Sequence, residues 1–209
     1  MSRLRLLLAF TLMVVPFAPP TARAAPRSTA KKTNTARYWW QLGEPQPKSA
    51  VDAELAVYLQ PLIEDELAKA VARRAEITRD APANAPTTRI EDQEKWLRAA
   101  KLSGAHRVSV DIVEASEALE PSPLHPGQQR LVVRLSVHVL GENTVAQTLA
   151  FSGDGGGTVK QDIGKHLRPA DREFTWRSIA AMAFDKAIAT SLDKLRATPA
   201  NAAKSRKKR

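Results

Sequence analysis

The chain has 209 residues, with 32 Lys and Arg against 22 Asp and Glu, and no cysteine. The missing cysteines exclude a disulfide framework, a thiol nucleophile, a Cys-based zinc site and a lipid-modified cysteine together. A formal charge of +10 suggests nucleic acid or an anionic surface, but twelve of the cations sit in residues 1–37 and 204–209, which hold no acid, so residues 38–203 carry 20 against 22 and nucleic acid is disfavoured as a partner.

Arg3 and Arg5 precede an apolar run from Leu6 to Ala18, and Ala22-Arg23-Ala24 supplies small residues at the spacing a signal peptidase reads. The run is too short for a helix that must cross a hydrocarbon core ~30 Å thick at ~1.5 Å per residue. Residues 1–24 are therefore expected to be a cleavable signal peptide, cut between Ala24 and Ala25 rather than ahead of Pro26. With no cysteine to lipidate and no second apolar span, the product is expected to be a soluble periplasmic or secreted protein and not a lipoprotein. Residues 25–37 are small, basic and polar, as in a flexible linker.

Residues 38–197 read as a single domain. Tyr38-Trp39-Trp40 concentrates aromatic area before Gly43, Pro45 and Pro47, as a short strand or docked segment or as an aromatic contact patch for a partner. Ser49 and Asp52 suit a helix start, and Leu55, Leu59, Leu62, Ile63, Leu67 and Val71 recur at helical spacing to about Arg74, with Pro61 expected to kink or split the helix after Leu59. A loop over 80–88 leads to a second predicted helix, from about Thr88 to Leu102, with Ile90, Trp96, Leu97 and Ala100 inward and Gly104 as its stop. Val108, Val110 and Ile112 then alternate as in a strand, and the Pro-rich stretch from Ala115 to Gln128 reads as a loop. Leu131, Val133, Leu135, Val137 and Val139 form the clearest strand face, Gly141-Glu142-Asn143 the turn, and Val145, Leu149 and Phe151 the return strand. Beyond a glycine-rich stretch, Asp171 is expected to cap a last helix running to about Leu195, with Trp176, Ile179, Ala183, Ala187, Ile188, Leu192 and Leu195 as its stripe. Residues 198–209 read as a disordered basic tail.

The pattern predicts an α+β fold, an antiparallel sheet of about three to four strands packed by two or three helices. The passage Leu102-Ser103-Gly104-Ala105-His106-Arg107-Val108-Ser109-Val110, followed by a hairpin and a closing helix, resembles the periplasmic domains of outer-membrane penicillin-binding-protein activators, the curli secretion-channel protein and the N-terminal domain of the Tol translocation protein. The resemblance covers about residues 96–195. It implies assembly or binding rather than a reaction, and assigns no functional residues.

No chemistry-bearing motif emerges. His106, His125, His138 and His166 do not share a helix face, so no metal or other cofactor is expected. Gly153-Asp154-Gly155-Gly156-Gly157-Thr158 lacks the lysine of a phosphate loop and the glycine spacing of a dinucleotide loop, and reads as a flexible connection. Glu64, Asp65 and Glu66 read as the solvated face of the first helix, and Glu91, Asp92 and Glu94 as first-turn acids that suit a helix dipole. No G-x-S-x-G elbow nominates a serine, so catalytic residues are not assigned. Lys204, Arg206, Lys207, Lys208 and Arg209 are candidate contacts to an anionic lipid or polymer surface. The expectation is a non-catalytic binding or assembly module of a bacterial envelope, with another envelope protein or an anionic surface as partner. Its alternatives are an exported enzyme of unrecognised type and anchoring through the basic tails.

Overall fold

The computed structural model describes residues 36–81 and 90–206, with side chains described for 36–81 and 91–197. The expected signal peptide, residues 25–35 of the linker and the cations Lys207, Lys208 and Arg209 lie outside the described residues, as do the side chains of Lys204 and Arg206.

The elements are β1 (Tyr38–Leu42), β2 (Gln46–Pro47), α1 (Ala53–Ala72), β3 (Ile77–Thr78), α2 (Ile90–Ala99), β4 (Gly104–Pro121), β5 (Gln129–Asn143), β6 (Leu149–Ile163) and α3 (Pro169–Arg206). The sheet runs β3-β1-β4-β5-β6, with β2 alongside β4. It is α+β as expected, but larger and mixed: β1 is parallel to both β3 and β4, while β4, β5 and β6 are antiparallel. The difference comes from the first third of the chain. Parallel neighbours need a crossover, and α1 supplies it between β1 and β3. Two-residue strands such as β2 and β3 are too short to show a period of two.

Helices α1 and α3 cover one face of the sheet, and the core lies between. Val108, Val110 and Ile112 from β4, Leu131, Val133, Leu135, Val137 and Val139 from β5, and Trp176, Ile179, Phe184 and Ile188 from α3 are all essentially inaccessible to water. Each such side chain is worth about 1.5–3 kcal/mol of burial. Asp52 caps α1 through its carboxylate, which accepts the Leu55 N–H at 2.9 Å. The helix continues through Pro61. That proline removes the donor for the Val57 carbonyl, but Val57 is 77% exposed and Pro61 is exposed too, so water can replace the bond.

Four further expectations change. The hairpin of β4 and β5 extends to Pro121 paired with Gln129, so the expected loop from Ala115 shrinks to 122–128. Its outer half contains Glu114, Ser116, Ala118 and Glu120, which show no apolar face because backbone pairing, not burial, holds them. Among its described side chains, 91–99, helix α2 has none buried, and it is stopped two residues past Ala99 by Lys101 at φ 55°, with the Leu102 N–H donating to the Leu97 carbonyl; Gly104 already belongs to β4. Helix α3 starts at Pro169, a residue whose missing N–H costs nothing in the first turn, with Asp171 inside that turn rather than capping it. It also continues past Leu195, the last buried residue among its described side chains, to Arg206.

The glycine-rich stretch is the fourth. Gly153 to Gly157 lie mid-strand in β6, opposite Val139 to Leu135 of β5, and not in a flexible connection. A Cβ at Gly153 would overlap the Ala187 carbonyl, and one at Gly155 the Ala183 carbonyl. The glycines let α3 settle directly onto the strand backbone. Gly141 of β5 instead makes room for the Phe151 ring, which a Cβ there would overlap.

Candidate functional site

Three places among the described residues stand out for their polar groups, and they differ in what they leave free. The largest is a cavity of about 620 Å³ where α1 begins, lined by Ala50, Asp52, Glu54, Leu55 and Tyr58, by Ala115, Ser116 and Glu117 from β4, and by Arg172 from α3. Glu117 is its hub. It accepts a forked pair from Arg172, at 2.8 Å from Nε and 2.6 Å from Nη2, and a third bond from the Trp176 indole N–H at 3.0 Å. The guanidinium also lies 4.0 Å over the Tyr58 ring, a cation–π contact. The Glu117 hydrogen bonds hold the Arg172 pKa above its ordinary value, and burial raises that of Tyr58. Arg172, Glu117 and Tyr58 are thus engaged in holding α1, β4 and α3 together, while the Asp52 carboxylate caps α1. The Glu54 carboxylate beside them faces solvent.

The second place is inside the core. Tyr38 and Trp40 are buried at 5% and 1% exposure, so the aromatic triplet packs instead of forming a contact patch. Trp40 stacks on Phe151 at 5.0 Å, and Phe151 and Tyr38 flank His106 at 5.3 and 5.9 Å. Only Trp39 points to the other face, where it meets Trp96 edge-on at 5.5 Å and its indole N–H donates to the Arg79 carbonyl. His106 is 3% exposed, and neither of its ring nitrogens has a hydrogen-bond partner. Burial pushes its pKa down to about 4, so the ring is neutral at pH 7. The alternation of β4 signalled an inward side chain here, but not that it would be unpaired.

The third is the face of β4, β5 and β6 turned away from α1 and α3. Strand alternation puts Arg107, Ser109, Asp111, Ser116, Arg134, Ser136, His138, Asp154 and Thr158 there. His138 stands directly between Asp111 and Asp154, with Nε2 at 3.8 Å from the Asp154 carboxylate, while Lys48 pairs with Asp111 at 2.9 Å. Arg130 meets Asp162 at 3.0 Å and holds its carboxyl below the usual carboxylate range. A shallower hollow of about 430 Å³ opens between Arg134, Asp154, Gly156 and Lys186.

No family model matches the chain. No curated protein matches it either. Among solved structures it is similar to a DUF330-family protein from Xanthomonas campestris, at 10% identity over 82% of this chain and 90% of that one, with a TM-score of 0.41. A minor lipoprotein from Acinetobacter baumannii is similar at 11% identity over 70% and 84%, TM-score 0.33. The PelC dodecamer from Paraburkholderia phytofirmans is similar at 10% over 74% and 87%, TM-score 0.32.

The remaining residues singled out from sequence do not converge. His125 is exposed at the hairpin tip and His166 in the turn before α3, and among the described residues no group of three His, Asp or Glu could hold a metal ion. Glu66 departs from expectation: it is buried, while Asp65 is half-buried and only Glu64 is fully on the surface. Glu66 accepts from Lys69 and from Arg177, each at 2.9 Å, tying α1 to α3. Its partner Arg177 is 111 residues away, a separation that no local pattern reveals.

Proposed function

We propose that this is an exported bacterial envelope protein that works as a non-catalytic binding or assembly module through the open face of its sheet. The observation that carries the reading is that face. Three long antiparallel strands present hydroxyls and both signs of charge side by side, and among the described residues no helix lies over them. A soluble sheet with one face on a core and one toward water is stable alone, and a mixed polar surface around small hydroxyls suits a polar protein partner. The large cavity supports the same reading, because Glu117 and Arg172 within it are committed to the contacts with each other and with Trp176 that fix its shape. Export rests on the signal-like first 24 residues. No helix among the described residues is long and apolar enough to cross a membrane. The likeness of residues 102–110 to exported assembly domains belongs to the same proposal.

The test is to block the face without touching the core. Ser109→Trp and Ser136→Trp should each shift the protein out of its envelope complex on native size separation, with unchanged melting temperature. Glu64→Trp, on the helical side, should leave the complex intact. Loss of the complex from the helical-side variant alone would move the binding surface elsewhere and overturn the reading.

A further inference from the structure

The two ends of the sheet are unequal. One ends in β3, only two residues long, a short edge of the kind that resists further pairing. The other ends in β6, from Leu149 to Ile163, and no strand among the described residues pairs with its outer side. A long edge of unpaired N–H and C=O groups is a template for another strand unless something blocks it. Nothing in the middle of β6 does so: Gly155, Gly156 and Gly157 have no side chains, and a Cβ at Gly157 would meet no atom within 4 Å.

We propose that β6 pairs antiparallel with β6 of a second copy of this chain about a two-fold axis at Gly157, joining the two sheets into one. The charge pattern selects both the partner and the register. With Gly157 opposite Gly157, Asp154 of each copy stands directly across from Lys160 of the other on the same face, giving two ion pairs, and Gly156 meets Thr158. The overlap runs from Phe151 opposite Ile163 through the whole stretch between. Moving the axis to Gly156 sets Asp154 against Thr158 and Lys160 against Ser152, without a charge pair. Moving it to Thr158 sets Asp154 against Asp162, a like-charge contact. Asp154 is 78% exposed and its one ion pair among the described residues is to His138 at 3.8 Å, and Lys160 is exposed with no ion pair among them, so both are available. On α3, Lys186 lines the hollow beside Gly155 to Thr158, and Met182, one turn earlier on the same stripe, is 52% exposed. Together they extend the surface a second copy would cover, and the copy closes the hollow.

This deepens the assembly reading by naming a second copy as one partner, and the two can fail separately. The pairing leaves the open sheet face uncovered, so a monomer whose Ser109→Trp variant still loses its complex sinks only this inference. A dimer with no envelope complex sinks only the other.

The test uses the full chain and its lack of native cysteine. Gly157→Cys should oxidise to a covalent dimer, because directly opposed residues on antiparallel strands have Cα atoms about 4.5–5.5 Å apart, within disulfide reach. Ser109→Cys, remote from the axis, should not. By analytical ultracentrifugation the parent chain should be dimeric at tens of micromolar. Asp154→Lys and Lys160→Asp should each weaken the dimer at least about tenfold with unchanged melting temperature, since each reversal replaces both attractions by repulsions. Mixing the two variants should restore a heterodimer, in which Lys faces Asp at both positions. A parent chain that stays monomeric overturns the inference. So does a dimer indifferent to both reversals that gives no Gly157→Cys crosslink, since that dimer uses another surface.

Discussion

Replacing His106 by Phe is expected to stabilise the protein, by more as the pH falls. The ring sits at 3% exposure between Tyr38 and Phe151, and both nitrogens lack partners. In either neutral tautomer a donor and an acceptor are buried without a bond, which costs about 1–3 kcal/mol. Phe keeps the planar ring and removes both polar atoms, so a gain of about 1–2 kcal/mol is expected at pH 7. The acid limb adds a second term. Burial lowers the folded pKa from 6.5 to about 4, so between those values the unfolded chain binds a proton that the folded chain refuses, and stability falls as the pH drops. Near pH 4 the loss approaches its full size, on the order of 3 kcal/mol. From pH 7 to pH 5 it amounts to about 2 kcal/mol, and below pH 4 it stops growing. Because every other titrating group is common to both proteins, the difference between them isolates His106. Urea unfolding followed by tryptophan fluorescence at pH 7 and pH 5 reads it, with buried Trp40 and Trp176 as reporters. An advantage of the Phe variant that stays the same at both pH values would refute the buried neutral imidazole. A destabilised variant at pH 7 would mean that the nitrogens are partnered in solution.

Gly155→Ala is expected to cost about 1–3 kcal/mol, because its Cβ would overlap the Ala183 carbonyl of α3, whereas Gly157→Ala, with open space around it, should stay within about 0.5 kcal/mol; equal effects in urea melts would refute the close strand–helix contact. Glu117→Ala leaves the Arg172 guanidinium and the Trp176 indole N–H without their acceptor and should lower stability by about 2 kcal/mol, while Glu54→Ala on the same cavity should be near neutral. Deleting residues 198–209 should reduce retention on anionic vesicles at low salt and make no difference at high salt, where screening removes the attraction; unchanged low-salt retention would take the tail out of any surface binding.

How much of this was legible in the sequence depends on how local the signal is. Val108, Val110 and Ile112, the β5 face from Leu131 to Val139, and the α3 stripe from Trp176 to Leu195 were readable because each contacts the core at the period of its own element. The start of α1 near Ser49 and Asp52 was readable for the same reason, although the side chain that caps it is Asp52 and not Ser49. The β6 glycines were misread because glycine favours turns on its own, and only α3, some thirty residues later, makes its absence of a side chain a packing requirement. The parallel placement of β1 depends on where α1 delivers the chain, which no periodicity in Tyr38–Leu42 reveals. The Glu117–Arg172 fork spans 55 residues and joins a stretch read as loop to the first turn of a helix. The burial of Glu66 looked like an ordinary helix acid because its neighbours Glu64 and Asp65 are acids too.

The central claim is that the sheet face away from α1 and α3 meets a partner in the cell envelope. Its most direct test places a photo-crosslinking amino acid at Ser109, at Ser136 and, as control, at Glu64, in the full chain expressed in intact bacteria. The account predicts a discrete adduct with another envelope component from Ser109 and Ser136 that the purified protein alone does not give, and none from Glu64. Adducts from Glu64 but from neither serine would contradict it.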